Sequence, residues 1–236
     1  MQEAITINIV EKVYGSQGNP DVLNLVPRNA KYVLDVGCGA GSLANSLQQR
    51  GCTVDGISIS EAELEQAGPF LRRGYLQNLE MGLPEEISSK YDVVVCSHVL
   101  EHICYPDKLL SDIREALVDN GQLIIALPNI MHYKARMQLM LGNFNYQTQG
   151  LWDYTHFRWY TFRSAKKLLE RNGFVVEHAT VTGELPFNSL FSKILPASAR
   201  RKLFSALKSI SKGFFGYQLL YRASKSAVPL QKSSIG

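Results

Sequence analysis

Short runs of apolar and β-branched residues recur along the chain, and between them apolar positions return at three- and four-residue intervals, the periods of strands and helices respectively. The strand-like runs cover 32–35, 53–57, 75–77, 91–96, 122–127, 174–181 and 217–222. Helical patterns fill 42–49, 60–67, 106–117 and 164–172, the last stopped by Gly173 as a helix C-terminus would be. Strands alternating with helices predict an α/β fold: a seven-stranded, mostly parallel sheet flanked by helices, in a single domain over 1–223. Two segments break the alternation. Residues 129–163 form an insertion after the fifth strand, dense in His, Tyr, Trp and Arg, and residues 185–215 form a basic, partly helical excursion before the seventh. Residues 1–30 are expected to cap the sheet's open edge, with Asn19-Pro20 starting a short helix, and 224–236 to form a flexible tail.

Composition narrows the class. A chain of 236 residues with 45% hydrophobic content buries a sizeable core, which excludes a disordered or fibrous protein. The net charge of +4 conceals a split: all 21 acidic residues lie at or before Glu184, so residues 1–184 carry −5 and residues 185–236 carry +9. Within 199–214, Leu203, Leu207, Ile210 and Phe214 share a helical face opposite Arg201, Lys208 and Lys212. This face either packs as an ordinary surface helix or attracts an anionic partner, a membrane surface or a phosphate-bearing acceptor; the charge alone does not make a nucleic-acid binder. Cys38, Cys52, Cys96 and Cys104 show neither pairing nor metal spacing, and no other His and carboxylate cluster has recognisable ligand spacing, so no metal is expected. Without a signal-peptide pattern or a long apolar run, the expected location is cytoplasmic.

The chemistry concentrates at 33–43, where a buried strand runs into Gly37, Gly39 and Gly41 and then into a helix. Such a turn lets backbone amides and a helix N-terminus approach a ligand. The spacing is G-x-G-x-G, with Ser42 where the third glycine of a dinucleotide fingerprint would fall, which speaks against a nicotinamide oxidoreductase. With Asp35 at the strand end, this stretch resembles the first motif of class I S-adenosylmethionine-dependent methyltransferases, a Rossmann-like fold. The resemblance implies Asp35 near the methionine amino group, with Gly37, Cys38, Gly39 and Gly41 making room for the cofactor and S-adenosylhomocysteine as product.

Three further stretches resemble that family in order. Thr53 to Ser60 is similar to its second strand, whose end offers an acid to the ribose; here Ser58 stands there, followed by Ile59, and Asp55 lies too far inside the strand to substitute. Gln77 to Pro84 is similar to the turn after strand three, where an Asp accepts from the adenine amino group; here Asn78 stands there, followed by Leu79. Tyr91 to Ile103 ends in V-L-E-H, with Ser97 and His98 at the strand's carboxyl end, where ligands of open α/β sheets sit, and Glu101 and His102 beginning the next element. The chain lacks the N-P-P-Y motif of nucleic-acid methyltransferases.

After Pro128-Asn129, the stretch with His132, Arg136, Tyr146 and the run from Gly150 to Thr161 resembles a bacterial subgroup attached to glycan and natural-product pathways. A hydroxyl acceptor must lose a proton, and imidazole, with a pKa near ~6.5, suits that at neutral pH. His156 is the first candidate base, with Asp153 and Arg158 beside it in sequence; His132 and His98 are the alternates. Arg136, Tyr146, Trp152, Arg158 and Tyr160 are candidate acceptor contacts, the aromatic rings serving either as a platform or as the insertion's own small core. The reading is methyl transfer to a small-molecule hydroxyl, of a sugar or natural-product intermediate. Its rival is a non-catalytic protein that keeps the fold and serves a pathway enzyme as partner or regulator.

Overall fold

The computed structural model describes residues 18–88 and 90–226. Seven strands form one sheet in the order β3-β2-β1-β4-β5-β7-β6. They are β1 (Tyr32–Val36), β2 (Thr53–Ser58), β3 (Arg73–Leu76), β4 (Tyr91–Ser97), β5 (Leu117–Pro128), β6 (Phe174–Thr182) and β7 (Gln218–Lys225). The first five pair in parallel and β7 runs antiparallel between β5 and β6, so the mostly parallel sheet is confirmed.

The helices are α1 (Pro20–Leu25), α2 (Ser42–Gln49), α3 (Glu61–Ala67), α4 (Pro106–Ala116), α5 (Tyr133–Met140), α6 (Phe162–Arg171), α7 (Asn188–Phe191), α8 (Ala197–Ile210) and α9 (Lys212–Phe215). One sheet face is sealed by apolar side chains of α4 and α6, among them Leu109, Leu110, Ile113, Leu168 and Leu169. The other is sealed by Val22 and Val26 from the α1 region and by Leu43, Ala44 and Leu47 of α2. Local chemistry marks the ends: Asn19 and Thr161 cap α1 and α6 through their side chains, and Gly173 takes φ 76 just past α6, as its position in the sequence predicts.

Three expectations change. α1 lies on a sheet face, against β5 and beside α2, instead of capping the open edge; residues 1–17 lie outside the described residues. The amphipathic stretch at 199–214 is not one helix, because Ser211 turns extended and caps α9 by accepting from Phe214 N. Ser224 and Lys225 belong to β7, not to a tail, and 227–236 lie outside the described residues.

Candidate functional site

Parallel registry brings the scattered motifs to one edge. Val36 pairs with both Ile57 and Cys96, Ser58 with Leu76 and Ser97 with Ala126, so the carboxyl ends of β1 to β5 line up. β1 leads to β2 on one side and has β4 on the other, which opens a crevice at the reversal of strand order.

In that crevice Gly37, Gly39 and Gly41 take φ of 75, 51 and 81, a region L side chains rarely adopt. Two of the three glycines are also demanded by the protein's own packing. A Cβ on Gly37 would lie 2.6 Å from Val99 Cγ2, and one on Gly41 would lie 2.8 Å from Ala67 Cα. The turn is therefore clamped between the segment after β4 and the end of α3, and Gly37 N and Cys38 N both bond the Ile57 carbonyl at 2.9 Å. α2 follows Gly41, its N-cap, with no side-chain cap.

Asp35 is buried, and its Oδ2 has no hydrogen-bond partner among the described residues. Burial pushes its carboxyl up to about 7. Desolvation at this cost is what a binding group for a cation looks like before the cation arrives.

At the end of β2 the structure supplies what the strand lacks. Ser58 donates to Glu63 Oε2 at 2.6 Å and accepts from Ser60 N at 3.0 Å, while Ser60 Oγ accepts from Glu63 N and caps α3. Ser58 is thus inserted into a capping box, and the carboxylate missing from the strand arrives from the first turn of the next helix. Glu63 was passed over in the sequence reading, although the pattern Ser60-x-x-Glu63 was its signal. Asp55 is engaged elsewhere: Arg72 grips it with two bonds and Tyr91 donates to it at 2.7 Å. Asn78 is exposed and accepts from Glu80 N, capping a one-turn helix that holds the half-buried Leu79; Ile59 is exposed at the rim.

His98 sits just past β4 with φ 59, a left-handed backbone for a non-glycine residue. Its Nδ1 lies 3.1 Å from Glu101 Oε1 and its Nε2 2.8 Å from Gln218 Oε1. Gln218 Oε1 also accepts from Asn19 Nδ2 at 2.8 Å, which ties the segment before α1 to the site. Facing two acceptors, His98 is held as a double donor, and although burial opposes it, the bonds to Glu101 and Gln218 raise its pKa. That makes it a positioning group and a poor base.

The insertion folds back on the same end of β4. Phe157 N and Arg158 N both bond the Glu101 carbonyl, and Arg158 Nε bonds the Cys104 carbonyl at 2.6 Å. The ring of His156 packs edge-on against His102, with centroids 4.7 Å apart. His156 Nδ1 faces the Leu151 carbonyl at 3.0 Å, while the Asp153 carboxylate accepts from Thr155 N and Oγ1. Ligand atoms of Glu101, His102 and His156 lie within 4.8 Å of one another, a grouping that linear spacing concealed.

Other candidates serve the architecture. His132 is buried between the rings of Tyr133 and Tyr217, and burial, helped by Lys134, pushes its pKa down to about 4. Trp152 is buried with Nε1 bonded to Gln138, and Tyr160 is buried with its hydroxyl on the Leu100 carbonyl, so both are core, not acceptor contacts. Phe144 centres a cluster with Tyr146, Trp152 and Trp159, of which Phe144 and Tyr146 are exposed. Arg136 bonds the Met131 carbonyl and lies over the Phe214 ring, joining the insertion to α9. The buried Asn129 strengthens that joint, donating to the Gly213 and Gly216 carbonyls.

Comparison with known proteins identifies the family. A family model described as a methyltransferase domain matches residues 17–179. A ubiquinone biosynthesis O-methyltransferase of Pseudomonas entomophila is 36% identical over 117 residues, 48% of this chain and 50% of that protein. One of Coxiella burnetii is 28% identical over 134 residues, 54% of this chain and 57% of that protein. The chain thus spans about half the length of the curated relatives it matches. Among solved structures, a SAM dependent methyltransferase from Archaeoglobus fulgidus superposes with TM-score 0.58 at 20% identity, covering 84% of this chain and 87% of that one. The magnesium protoporphyrin IX methyltransferase of Synechocystis, with bound SAH, gives 0.56 at 20% identity over 88% and 81%. Strand order, glycine turn and a family match over most of the described residues converge, and the chain belongs to the methyltransferase-domain family on a class I S-adenosylmethionine-dependent fold.

Proposed function

We propose that the protein transfers a methyl group from S-adenosylmethionine to a hydroxyl of a small-molecule acceptor, a sugar or natural-product intermediate. The observation that carries this is the buried, unpartnered carboxyl oxygen of Asp35 beside a turn clamped open at Gly37 and Gly41. Asp35 would hold the amino group of the methionine part, the amides of Gly39 and Ala40 with the first turn of α2 its carboxylate, Glu63 with Ser58 the ribose hydroxyls, and Asn78 with Leu79 the adenine. When bound, S-adenosylmethionine supplies a methyl group made electrophilic by its sulfonium. The protein's own work is alignment and exclusion of water, because methyl transfer is an in-line displacement.

The acceptor hydroxyl gives up its proton at the group formed by Glu101, His102 and His156, just beyond the carboxyl end of β4. His132, with its pKa near 4, binds a proton too weakly to serve, and His98 already donates from both nitrogens. Transfer to oxygen is supported by the relatives, which are named as O-methyltransferases.

Calorimetric titration of the purified chain with S-adenosylmethionine and S-adenosylhomocysteine, with NAD as control, tests the reading. Micromolar binding of both sulfur ligands and none of NAD is expected. Absence of binding at millimolar ligand would sink it in favour of a non-catalytic partner protein.

A further inference from the structure

Four segments of the chain meet at one side chain, that of Gln218 at the start of β7. Gln218 pairs with Thr182 of β6 across the antiparallel ladder, so the two side chains share a face, and Gln218 Nε2 donates to Thr182 Oγ1 at 3.0 Å. Gln218 Oε1 accepts from Asn19 Nδ2 at 2.8 Å and stands 2.8 Å from His98 Nε2. Asn19 is itself fixed, because its Oδ1 caps α1 by accepting from Val22 N. Turning the Gln218 amide over would set its nitrogen against the Asn19 amide nitrogen, donor against donor, so Oε1 faces Asn19 and His98 with both lone pairs engaged. His98 Nε2 is therefore a donor, and Nδ1 lies 3.1 Å from Oε1 of the fully buried Glu101. Held at both nitrogens, the His98 side chain is still 42% exposed, just past the end of β4. Its backbone is left-handed, a costly conformation that these side-chain bonds help to maintain.

We infer that Gln218 is a positioning residue that acts through His98, and that it makes the segment before α1 part of the site: the His98 ring keeps its orientation while Asn19 is docked on Gln218. Thr182 does not decide which way the Gln218 amide points, because a hydroxyl donates as well as accepts. The Asn19 amide nitrogen decides it. Once Asn19 leaves, the amide can turn over, its nitrogen comes to face His98 Nε2, and the ring must surrender that proton or swing away. The residue next to Asn19 reaches the other side of the crevice. Gly18, with φ 69, packs on the first residue of α2, where an added Cβ would lie 3.5 Å from the Ser42 carbonyl oxygen. Ser42 directly follows the glycine turn, so two consecutive residues touch both the turn and the β7 side where His98 is held. A cofactor seated between the turn and the end of β4 meets His98 in the docked arrangement, so docking and cofactor retention support one another. That consequence rests on the methyl-transfer reading; the relay from Asn19 to His98 does not.

The test is a nitrogen-15 NMR titration of the His98 ring in the full chain, assigned with His98→Gln, together with the rate of S-adenosylhomocysteine release. Glu101, the charged group that faces the ring, is the same in every variant. Gln218→Leu removes the acceptor, and the midpoint at which His98 loses its second ring proton should fall by about one pH unit, the worth of a hydrogen bond from a charged donor. Gln218→Glu keeps an acceptor oxygen and should restore it. Asn19→Ser keeps a cap on α1 but cannot reach Gln218, so the His98 midpoint should fall in the same direction and S-adenosylhomocysteine should leave about fivefold faster. A His98 titration unchanged in Gln218→Leu, with only the melting temperature lowered, makes Gln218 structural and overturns the assignment. A His98 titration and release rate unchanged in Asn19→Ser overturn the coupling to the segment before α1. If the wild-type chain binds no S-adenosylhomocysteine, the methyl-transfer reading fails and the His98 titrations alone decide the relay.

Discussion

The Ser58 hydroxyl donates to the Glu63 carboxylate at 2.6 Å, both side chains buried, at the place where the family's second strand ends in an acid. One turn of α3 thus returns a negative charge to a position where the strand has only a hydroxyl. If Glu63 serves the ribose, Glu63→Gln keeps the shape and loses the charge. Affinity for S-adenosylhomocysteine should fall about tenfold, the worth of one charge-assisted hydrogen bond. Calorimetry reads this directly; unchanged affinity would reduce Glu63 to a helix cap.

Asp35 gives cofactor binding a pH dependence with a definite sign. Its carboxyl, held near 7 by burial, is protonated in the free protein at lower pH and must ionise to meet a cationic amino group. Affinity for S-adenosylhomocysteine should fall about tenfold per pH unit below pH 7 and level off above it. Asp35→Asn should bind more weakly and with a flat profile. A flat profile in the wild-type chain would remove Asp35 from the cofactor's contacts.

His132 makes a separate prediction about stability. The unfolded chain takes up a proton at this imidazole near pH 6.5, whereas the folded protein refuses it until about pH 4. Its contribution is whole above pH 6.5 and is lost as pH falls from there toward 4. His132→Phe, which keeps a ring between Tyr133 and Tyr217, should shrink the drop in melting temperature between pH 7.5 and pH 5.

Gly37 is clamped by Val99, so its replacement should damage the fold as well as the site. Gly37→Ala forces a Cβ to 2.6 Å from Val99 Cγ2 at φ 75 and should cost about 2 kcal/mol or more of unfolding free energy. Adding Val99→Ala removes the clash but not the backbone strain, so urea denaturation should show partial recovery. No recovery would show that the contact is not what demands glycine.

The basic excursion leaves Phe187, Leu190, Ile194 and Ile210 well exposed, beside nine positive charges and no acid from residue 185 onward. We propose peripheral contact with an anionic membrane through α7 and α8. Co-sedimentation with phosphatidylserine vesicles should be seen at low salt and fade at high salt, and Arg201→Glu/Lys208→Glu should weaken it. Equal binding to neutral vesicles would count against the electrostatic part. No described helix is long and apolar enough to cross a membrane.

Much of the fold was legible because its causes are local. Hydrophobic period, Asn19 and Thr161 as caps, and Gly173 past α6 act over a few residues, and predicted element ends agree with the observed ones to within a few residues. β5 is the exception, beginning at Leu117 instead of 122: Leu117 pairs with Tyr91, and Val118 to Gly121 form an irregularity before regular pairing resumes at Gln122 opposite Val93, which a hydrophobic pattern does not reveal. Asp35 and the glycine turn were legible for the same reason: strand, turn and helix lie within eleven residues.

What composition and spacing could not supply were partnerships between distant segments. His98 and Gln218 are 120 positions apart, and Thr155, whose carbonyl lies 3.1 Å from His102 Nδ1, is 53 positions from that histidine. The sequence therefore established the fold class, the strand ends that carry ligand chemistry and the identity of the glycine turn. Packing alone settled that Trp152 and Tyr160 are core, that His98 is tied down, and that His156 meets Glu101 and His102. A side chain's chemistry is set by which donors, acceptors and apolar walls surround it, and those come from residues remote in the chain.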